Sequence, residues 1–318
     1  MPTSAVVCAG IVVADHVSSP ISHLPAAGEL VLADQLVLTI GGCAANVAVD
    51  LGKLGVPATV VGCVGDDIFG RVVADLLRDS GVDASGLRVR AGQTTSQTLI
   101  VNVQGQDRRF IHTFGANADF SPADIPTDLT GCKVLYLGGY FLMDLLTPSA
   151  LAEVFARARL QGVKTVLDVV TPGPRADYLD RLRPVLPHVD VFLPNDHEAH
   201  LITGLSDPLA QAREFHRLGA KTAIVTQGER GSILVSDGLT LRAGTFRMPF
   251  VDGTGGGDAF AAGYIAGLLQ GLGPRECLSM GSAVGASCVR AIGTTTGVFT
   301  RSECEAFLRE NTLTVEVV

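Results

Sequence analysis

Val251-Asp252-Gly253-Thr254-Gly255-Gly256-Gly257-Asp258-Ala259-Phe260 is the stretch on which the reading of this chain turns. Four glycines, two aspartates and Thr254 fill the seven positions from Asp252 to Asp258, and an apolar, Ala/Gly-rich run over 259–269 follows directly. That run reads as a buried helix. Glycines ahead of a helix let backbone N–H groups converge on one spot, and the helix N-terminus adds the positive end of its dipole. Together they suit an anion, phosphate above all. Asp258 stands in the first turn of this helix. A carboxylate is out of place in a site that only binds phosphate. It makes sense if it takes a proton from a hydroxyl that then attacks phosphorus. The plainer alternative is a glycine-rich turn with an Asp cap. The stretch is not a Walker A loop, because Gly-Lys-Ser/Thr occurs nowhere in the chain. Nor is it a dinucleotide fingerprint, since the first strand ends in Cys8-Ala9-Gly10-Ile11 with a single glycine.

Working back towards the N-terminus, the apolar run over 4–13 predicts one buried central strand, which puts Asp15 just past its end. In open α/β sheets ligands bind at such strand ends; a turn aspartate is the alternative. In Gly41-Gly42-Cys43-Ala44-Ala45-Asn46, a helix opens right after the glycines, because Ala44, Val47, Ala48, Leu51 and Leu54 keep helical spacing. Gly41 and Gly42 permit a ligand to approach the backbone. Asn46 either reaches that ligand or is simply a polar residue of the first turn. A second strand is expected over 58–64, and Gly65-Asp66-Asp67 caps a helix whose stripe includes Phe69, Val72, Val73, Leu76 and Leu77. Residues 94–114 break the pattern: strands over 96–103 and 108–112 flank Gln104-Gly105-Gln106-Asp107 as a hairpin. With the segment around 15–40, the region 94–115 predicts a small separate sheet, a lid or an oligomer contact.

From residue 133 strands and helices alternate. Strands are expected over 133–138, 163–169, 190–193 and 221–226, with helices over 149–161, 175–186, 196–203 and 208–218. A hairpin turns at Asp237-Gly238, and helices over 259–270, 274–290 and 301–309 close the chain. This order implies a three-layer α/β/α unit spanning 1–318, with a mainly parallel sheet covered on both faces.

Composition narrows the partners. Of 318 residues, 47% are hydrophobic and 18% charged, with 24 basic against 32 acidic side chains and a net charge of −8. No basic stripe stands out and Trp is absent, which argues against nucleic acid. The seven cysteines are odd in number and lack C-x-x-C spacing, so a reduced, cytoplasmic protein is expected. No signal peptide or membrane span is evident.

Asn195-Asp196-His197-Glu198 follows a strand and opens a helix. Asn195 and Glu198, three apart, face one side of the first turn: a capping box, or an oxygen site that orients Mg²⁺ through water. His197 and His200 are three apart, not the four of a zinc-protease helix. Thr226-Gln227-Gly228 also lies at a strand end, where a nucleotide could cover Gly228.

Taken together these motifs resemble the ribokinase-like (PfkB) carbohydrate kinases. Gly41-Gly42-Cys43-Ala44-Ala45-Asn46 is similar to the N-terminal family signature. Gly62-Cys63-Val64-Gly65-Asp66-Asp67-Ile68-Phe69-Gly70 is similar to its companion, Asn195-x-x-Glu198 to the N-x-x-E motif, and Asp252 to Asp258 to the C-terminal D-T-x-G-A-G-D signature. The resemblance implies a ribokinase-like fold and ATP-dependent phosphorylation of a sugar-like alcohol. Asp258 would be the base, and the N–H groups of Gly255, Gly256 and Gly257 would be the anion hole. Asp15, Gly41, Gly42 and Asn46 would bind the acceptor. Asn195 and Glu198 would place Mg²⁺ and phosphates, with Thr226 and Gly228 beside ATP. Asp252, Thr254, Ala291 and Gly293 would hold a monovalent cation such as K⁺, and the lid would make a homodimer. Ribokinases carry a sugar-contacting glutamate after the strand over 133–138, where this chain has Gly139-Tyr140-Phe141-Leu142-Met143-Asp144. A nucleoside kinase of the same family is the runner-up. A sensor that kept the fold and lost catalysis is the alternative of another class, against which Asp258 argues.

Overall fold

The apolar run at the N-terminus forms two strands, not one. β1 (Val6–Gly10) ends at Gly10, and after Ile11 and Val12 the chain enters β2 (Val13–Ser18) of a different sheet. The expected single strand with Asp15 beyond its end is thereby corrected: Asp15 lies inside β2. Gly10 sits at the break with φ 134°, where a Cβ would stand 2.1 Å from the Gly138 carbonyl oxygen. Both strands are buried, so hydropathy does not register the passage from one sheet to the other.

The computed structural model describes residues 4–106 and 108–318; Asp107, in the expected hairpin turn, lies outside the described residues. After β2 come β3 (Leu36–Gly41), α1 (Cys43–Lys53), β4 (Ala58–Gly65), α2 (Ile68–Asp79), β5 (Asp83–Arg90), β6 (Gln97–Val101) and β7 (Arg109–Thr113). The second half runs β8 (Val134–Gly138), α3 (Pro148–Leu160), β9 (Lys164–Leu167), α4 (Tyr178–Leu182), β10 (Val191–Phe192), α5 (Asp196–Thr203), α6 (Pro208–Arg217) and β11 (Thr222–Thr226). It closes with β12 (Ser232–Ser236), β13 (Leu239–Ala243), α7 (Gly256–Leu269), α8 (Pro274–Cys288), α9 (Arg301–Glu310) and β14 (Val315–Val317). The helix expected over 175–186 shrinks to α4, because Pro172 and Pro174 precede it and Pro184 stops it.

The large sheet has the order β14-β13-β12-β11-β10-β9-β8-β1-β4-β5. It is parallel from β11 to β5 and antiparallel through β12, β13 and β14. The small sheet, β3-β2-β6-β7, is the expected lid, with β2 and β6 parallel and the other pairs antiparallel.

α7 lacks a polar face because it is enclosed. It packs against α1 and α8, and glycines bring α7 and α8 nearly into backbone contact. A Cβ on Gly263 would lie 2.7 Å from the Met280 carbonyl oxygen, and one on Gly285 3.1 Å from that of Gly256. Close packing of this kind leaves α7 little freedom, so its N-terminus is a fixed point on which a site can be built.

Candidate active site

Gly255 caps α7 in the left-handed conformation, φ 85°. A Cβ there would stand 2.2 Å from the Thr294 carbonyl oxygen, so only glycine allows this turn. Its own carbonyl accepts from the Ala259 N–H at 2.9 Å, which starts the helix. First-turn N–H groups have no partner within the helix, and that of Gly256 makes only a long 3.5 Å contact with the Gly253 carbonyl oxygen. Around Gly257 the space is open: a Cβ would meet no atom within 4 Å. The glycines expected to form an anion cradle therefore stand at the head of α7, with open space beside Gly257.

Asp258 projects from that first turn. Its Oδ2 accepts a 2.7 Å hydrogen bond from Asn46 Nδ2, and Asn46 Oδ1 accepts one of 2.9 Å from Thr294 Oγ1. The Cys43 thiol donates to the same carboxylate. Burial raises the Asp258 pKa, and the Asn46 and Cys43 donors only partly offset it. A carboxylate moved towards neutral pH is better matched to taking a proton from an alcohol. Asn46 thus has its amide turned to Asp258 and Thr294 rather than standing open to the crevice.

Two further acids crowd this base. One ligand atom each of Cys43, Asp168 and Asp258 lies within 4.8 Å of the others. Asp168 follows β9 directly, and its carboxylate accepts from Tyr136 Oη at 3.0 Å and the Val169 N–H at 2.7 Å. Asn195 and Glu198 form the capping box of α5: the Glu198 N–H donates to Asn195 Oδ1 at 2.8 Å, and the Asn195 N–H to Glu198 Oε2 at 2.9 Å. Burial first, then repulsion among Asp168, Glu198 and Asp258, pushes Asp168 and Glu198 up from ordinary carboxylate values. Asn195 bridges to Thr226 at the adjacent strand end, and Gly228 follows with φ 57° and open space around it. Asp168 was not singled out in the sequence, although the rule that drew attention to Asp15, a carboxylate at the end of a buried strand, applies to it better.

The lid brings Asp15 to the same place. Its carboxylate lies against Gly41, where a Cβ would be 2.0 Å from Asp15 Oδ2. Gly42, φ 88°, leaves no room for a Cβ either, which would come within 2.5 Å of the Ile11 carbonyl oxygen. Across the lid, Thr39, Asp15, Thr98 and His112 form one cross-strand row, and Thr98 Oγ1 is 3.0 Å from His112 Nδ1. Burial lifts Asp15 from 3.8 to about 7; the Thr98 hydroxyl lowers it, while the charges of Asp258 and Asp252 raise it further. The folded protein then holds more protons at Asp15 than the unfolded chain between pH 3.8 and about 7. Its contribution to stability falls as pH rises through that window and levels off above it. Asp15→Asn is expected to reduce the decline of Tm with pH across this interval. An unchanged slope would count against a desolvated Asp15.

Below the glycine loop, Asp252 is buried. Its Oδ1 accepts from the Thr254 N–H at 3.0 Å and Oγ1 at 2.7 Å, and its Oδ2 from the Gly293 N–H at 3.1 Å. Three of the four residues expected at a monovalent-cation site are thus linked, and Ala291 lies two positions before Gly293. Asp144, on the loop where a glutamate was sought, pairs instead with Arg181 at 3.4 Å and with Arg175. The Arg108-Arg109 pair divides. Arg109 is exposed and bonds Gln106 at 2.6 Å, while Arg108 Nη1 lies 2.7 Å from where a Gly253 Cβ would be.

A carboxylate at a helix N-terminus, among glycines, is the arrangement of a phosphoryl-transfer site. A family model described as "pfkB family carbohydrate kinase" matches residues 3–301. The chain belongs to this family. The kinase is similar to the ribokinase of Haemophilus influenzae, 27% identical over 305 residues, covering 94% of this chain and 96% of that one. It is also similar to the cytidine kinase of Thermococcus kodakarensis, 30% identical over 247 residues, covering 76% and 84%. A solved structure, described as a candidate ribokinase II from E. coli in complex with ATP and Mg²⁺, superposes with a TM-score of 0.82 at 25% identity, covering 97% and 100%. The fold expected of this kinase, a mainly parallel sheet between helices with a small lid sheet, is the one observed. No helix among the described residues is long and apolar enough to cross a membrane.

Proposed function

We propose that this protein transfers the γ-phosphoryl group of ATP to a hydroxyl of a sugar or sugar-like small molecule, with Asp258 as general base. The observation that carries the reading is the Asp258 carboxylate, held by Asn46 at 2.7 Å, at the head of a helix with open space beside Gly257 of its first turn. Asp258 takes the proton of the acceptor hydroxyl. The acceptor oxygen forms its bond to the γ-phosphorus as the bond to the β,γ-bridging oxygen breaks, and ADP leaves. Charge on the phosphoryl oxygens is met by the N–H groups of Gly255, Gly256 and Gly257 and the α7 dipole. Asp15, with Gly41 and Gly42 beside it, is assigned to the acceptor's other hydroxyls. Asn46 keeps Asp258 oriented.

The crowding of Asp168, Glu198 and Asp258 is negative charge with hard oxygen donors, which fits a divalent cation of the Mg²⁺ type. Glu198 would hold it through water, with Asp168 close by. A cation held there would supply positive charge to offset that of the phosphates. Asn195, Thr226 and Gly228 are assigned to ATP. The buried Asp252 carboxylate, steadied by Thr254 and Gly293, has the oxygen chemistry for K⁺, with Ala291 on the same turn. Such an ion would order the glycine loop.

The chain over 1–318 is proposed as one unit, dimeric through the lid. Leu36, Leu38, Leu99 and Ile111 are exposed on the face opposite Asp15 and Thr98, Leu36 by 78%, and such apolar sheet surface suits a partner copy. Seven unpaired, buried cysteines suit the cytoplasm. A nucleoside acceptor is favoured by Phe110, 54% exposed, which shares with His112 the face of β7 that carries Thr98 and Asp15 in the neighbouring strands. The deciding measurement is ATP consumption with pentoses, hexoses, sugar acids and nucleosides, with and without K⁺. Turnover with one class is expected, and none with any acceptor would favour the sensor.

A further inference from the structure

Thr294 is buried in the turn after α8, with its hydroxyl between two acceptors. Its Oγ1 is 2.9 Å from Asn46 Oδ1 and 2.8 Å from the Ile40 carbonyl oxygen. A hydroxyl has one proton to give, and it can accept on its other side. Ile40 belongs to β3 of the lid and precedes Gly41, against which the Asp15 carboxylate lies. Asn46 belongs to α1, and its Nδ2 is 2.7 Å from Asp258 Oδ2. Asp258, Asn46, Thr294 and Ile40 thus form one line of polar groups that runs from the base to the lid.

The turn is held in place without the Thr294 side chain. Lys53, at the far end of α1, sets its Nζ 2.5 Å from the Thr295 carbonyl oxygen. The Cys288 thiol donates to the Thr294 carbonyl at 3.1 Å. Both bonds are to backbone, which leaves the hydroxyl to a separate task.

That task follows from a change the base undergoes. A carboxylate only accepts hydrogen bonds, whereas a carboxylic acid also donates one. Asn46 is buried beside this group, and a buried polar atom left unpaired is costly. We propose that Thr294 is a positioning residue that keeps Asp258 bonded, through Asn46, on both sides of the proton transfer. With Asp258 ionised, Asn46 Nδ2 donates to it and the Thr294 hydroxyl donates to Asn46 Oδ1. With the acceptor's proton on Asp258, the line runs the other way. The Asp258 hydroxyl donates to Asn46 Oδ1, the turned amide donates to Thr294 Oγ1, and Thr294 turns its proton to the Ile40 carbonyl. No proton passes between these residues; the amide and the hydroxyl only rotate. The role rests on the kinase reading above and adds to it.

The test compares Thr294→Val, Thr294→Ser and Thr296→Val in the full chain with the best acceptor from the panel. Thr294→Val keeps the shape and loses the hydroxyl. It is expected to lower kcat by about tenfold, the scale of one buried hydrogen bond, with little change in KM for ATP or acceptor. Thr294→Ser should recover most of the loss. Thr296→Val, on the exposed side of the same turn, should behave as wild type. In an Asp258→Asn background there is no base to serve, so Thr294→Val should lower kcat no further. A normal kcat in Thr294→Val, a change confined to KM, or an equal loss in Thr296→Val overturns the proposal. So does a loss that serine does not repair, or one that persists in full beside Asp258→Asn, because either marks a merely structural residue. A wild-type chain inactive with every acceptor removes the kinase reading as well. An active wild type with an unaffected Thr294→Val removes this inference alone.

Discussion

Asp258→Asn is expected to lower kcat by about a thousandfold, within the range found when a positioned general base is removed. Asn cannot take the acceptor's proton, yet it has nearly the same shape, and its side-chain oxygen can still accept from Asn46 Nδ2, the 2.7 Å bond that orients Asp258. ATP affinity should change little, because the N–H groups of α7 and the strand ends near Gly228 are untouched. Stability should hold or rise: burial raises the Asp258 pKa, so the folded protein gains nothing from ionising that carboxyl. Calorimetric titration with ATP and a coupled ADP assay separate these outcomes. Near-normal turnover in Asp258→Asn would leave the chain a kinase of another mechanism. Lost ATP binding together with a lower Tm would mean that Asp258 mainly supports the fold.

Gly255→Ala is the second large effect, and it acts through the backbone. At φ 85° an alanine costs about 1–2 kcal/mol in left-handed strain alone. Its Cβ would also overlap the Thr294 carbonyl oxygen at 2.2 Å, so the glycine loop and the turn at Thr294 must part. That separation pulls on the Asn46–Thr294 bond that steadies the amide facing Asp258. Turnover is expected to fall by about a hundredfold, as for loss of an oxyanion donor, and Tm by several degrees. Gly257→Ala is the control. Its added methyl meets nothing within 4 Å, and alanine is favoured over glycine inside a helix, so Tm should hold or rise. Equal Tm losses in the two variants would show that the conformation at Gly255 is not what matters.

Much of this site was legible in the chain. The glycine loop and its aspartate stand at the head of a helix, as an apolar run after clustered glycines required. Of the two readings offered for Asn195 and Glu198, the structure shows the capping box of α5, and it also sets Glu198 within reach of the Asp168 and Asp258 charges. The single strand expected over 4–13 is two strands for a specific reason. Ile11 and Val12 are as apolar as the strands on either side, so composition held no trace of the chain leaving one sheet for another. The different placements of Arg108, against Gly253, and Arg109, exposed beside Gln106, were equally hidden, since only the packing of the lid decides them.

From its residues alone this chain determined an alternating α/β fold, a hairpin that interrupts it, and an acid among glycines at a helix start. These follow from local periodicity and from the backbone freedom that glycine alone provides. Folding decided which groups meet. Asn46 reaches Asp258 across 212 positions, Asp15 arrives on the lid, Asp168 joins the base, and Arg108 ends against Gly253. Such meetings depend on how sheet, lid and α7 pack together, and no short-range pattern in a sequence records the distance between residues that are far apart along it.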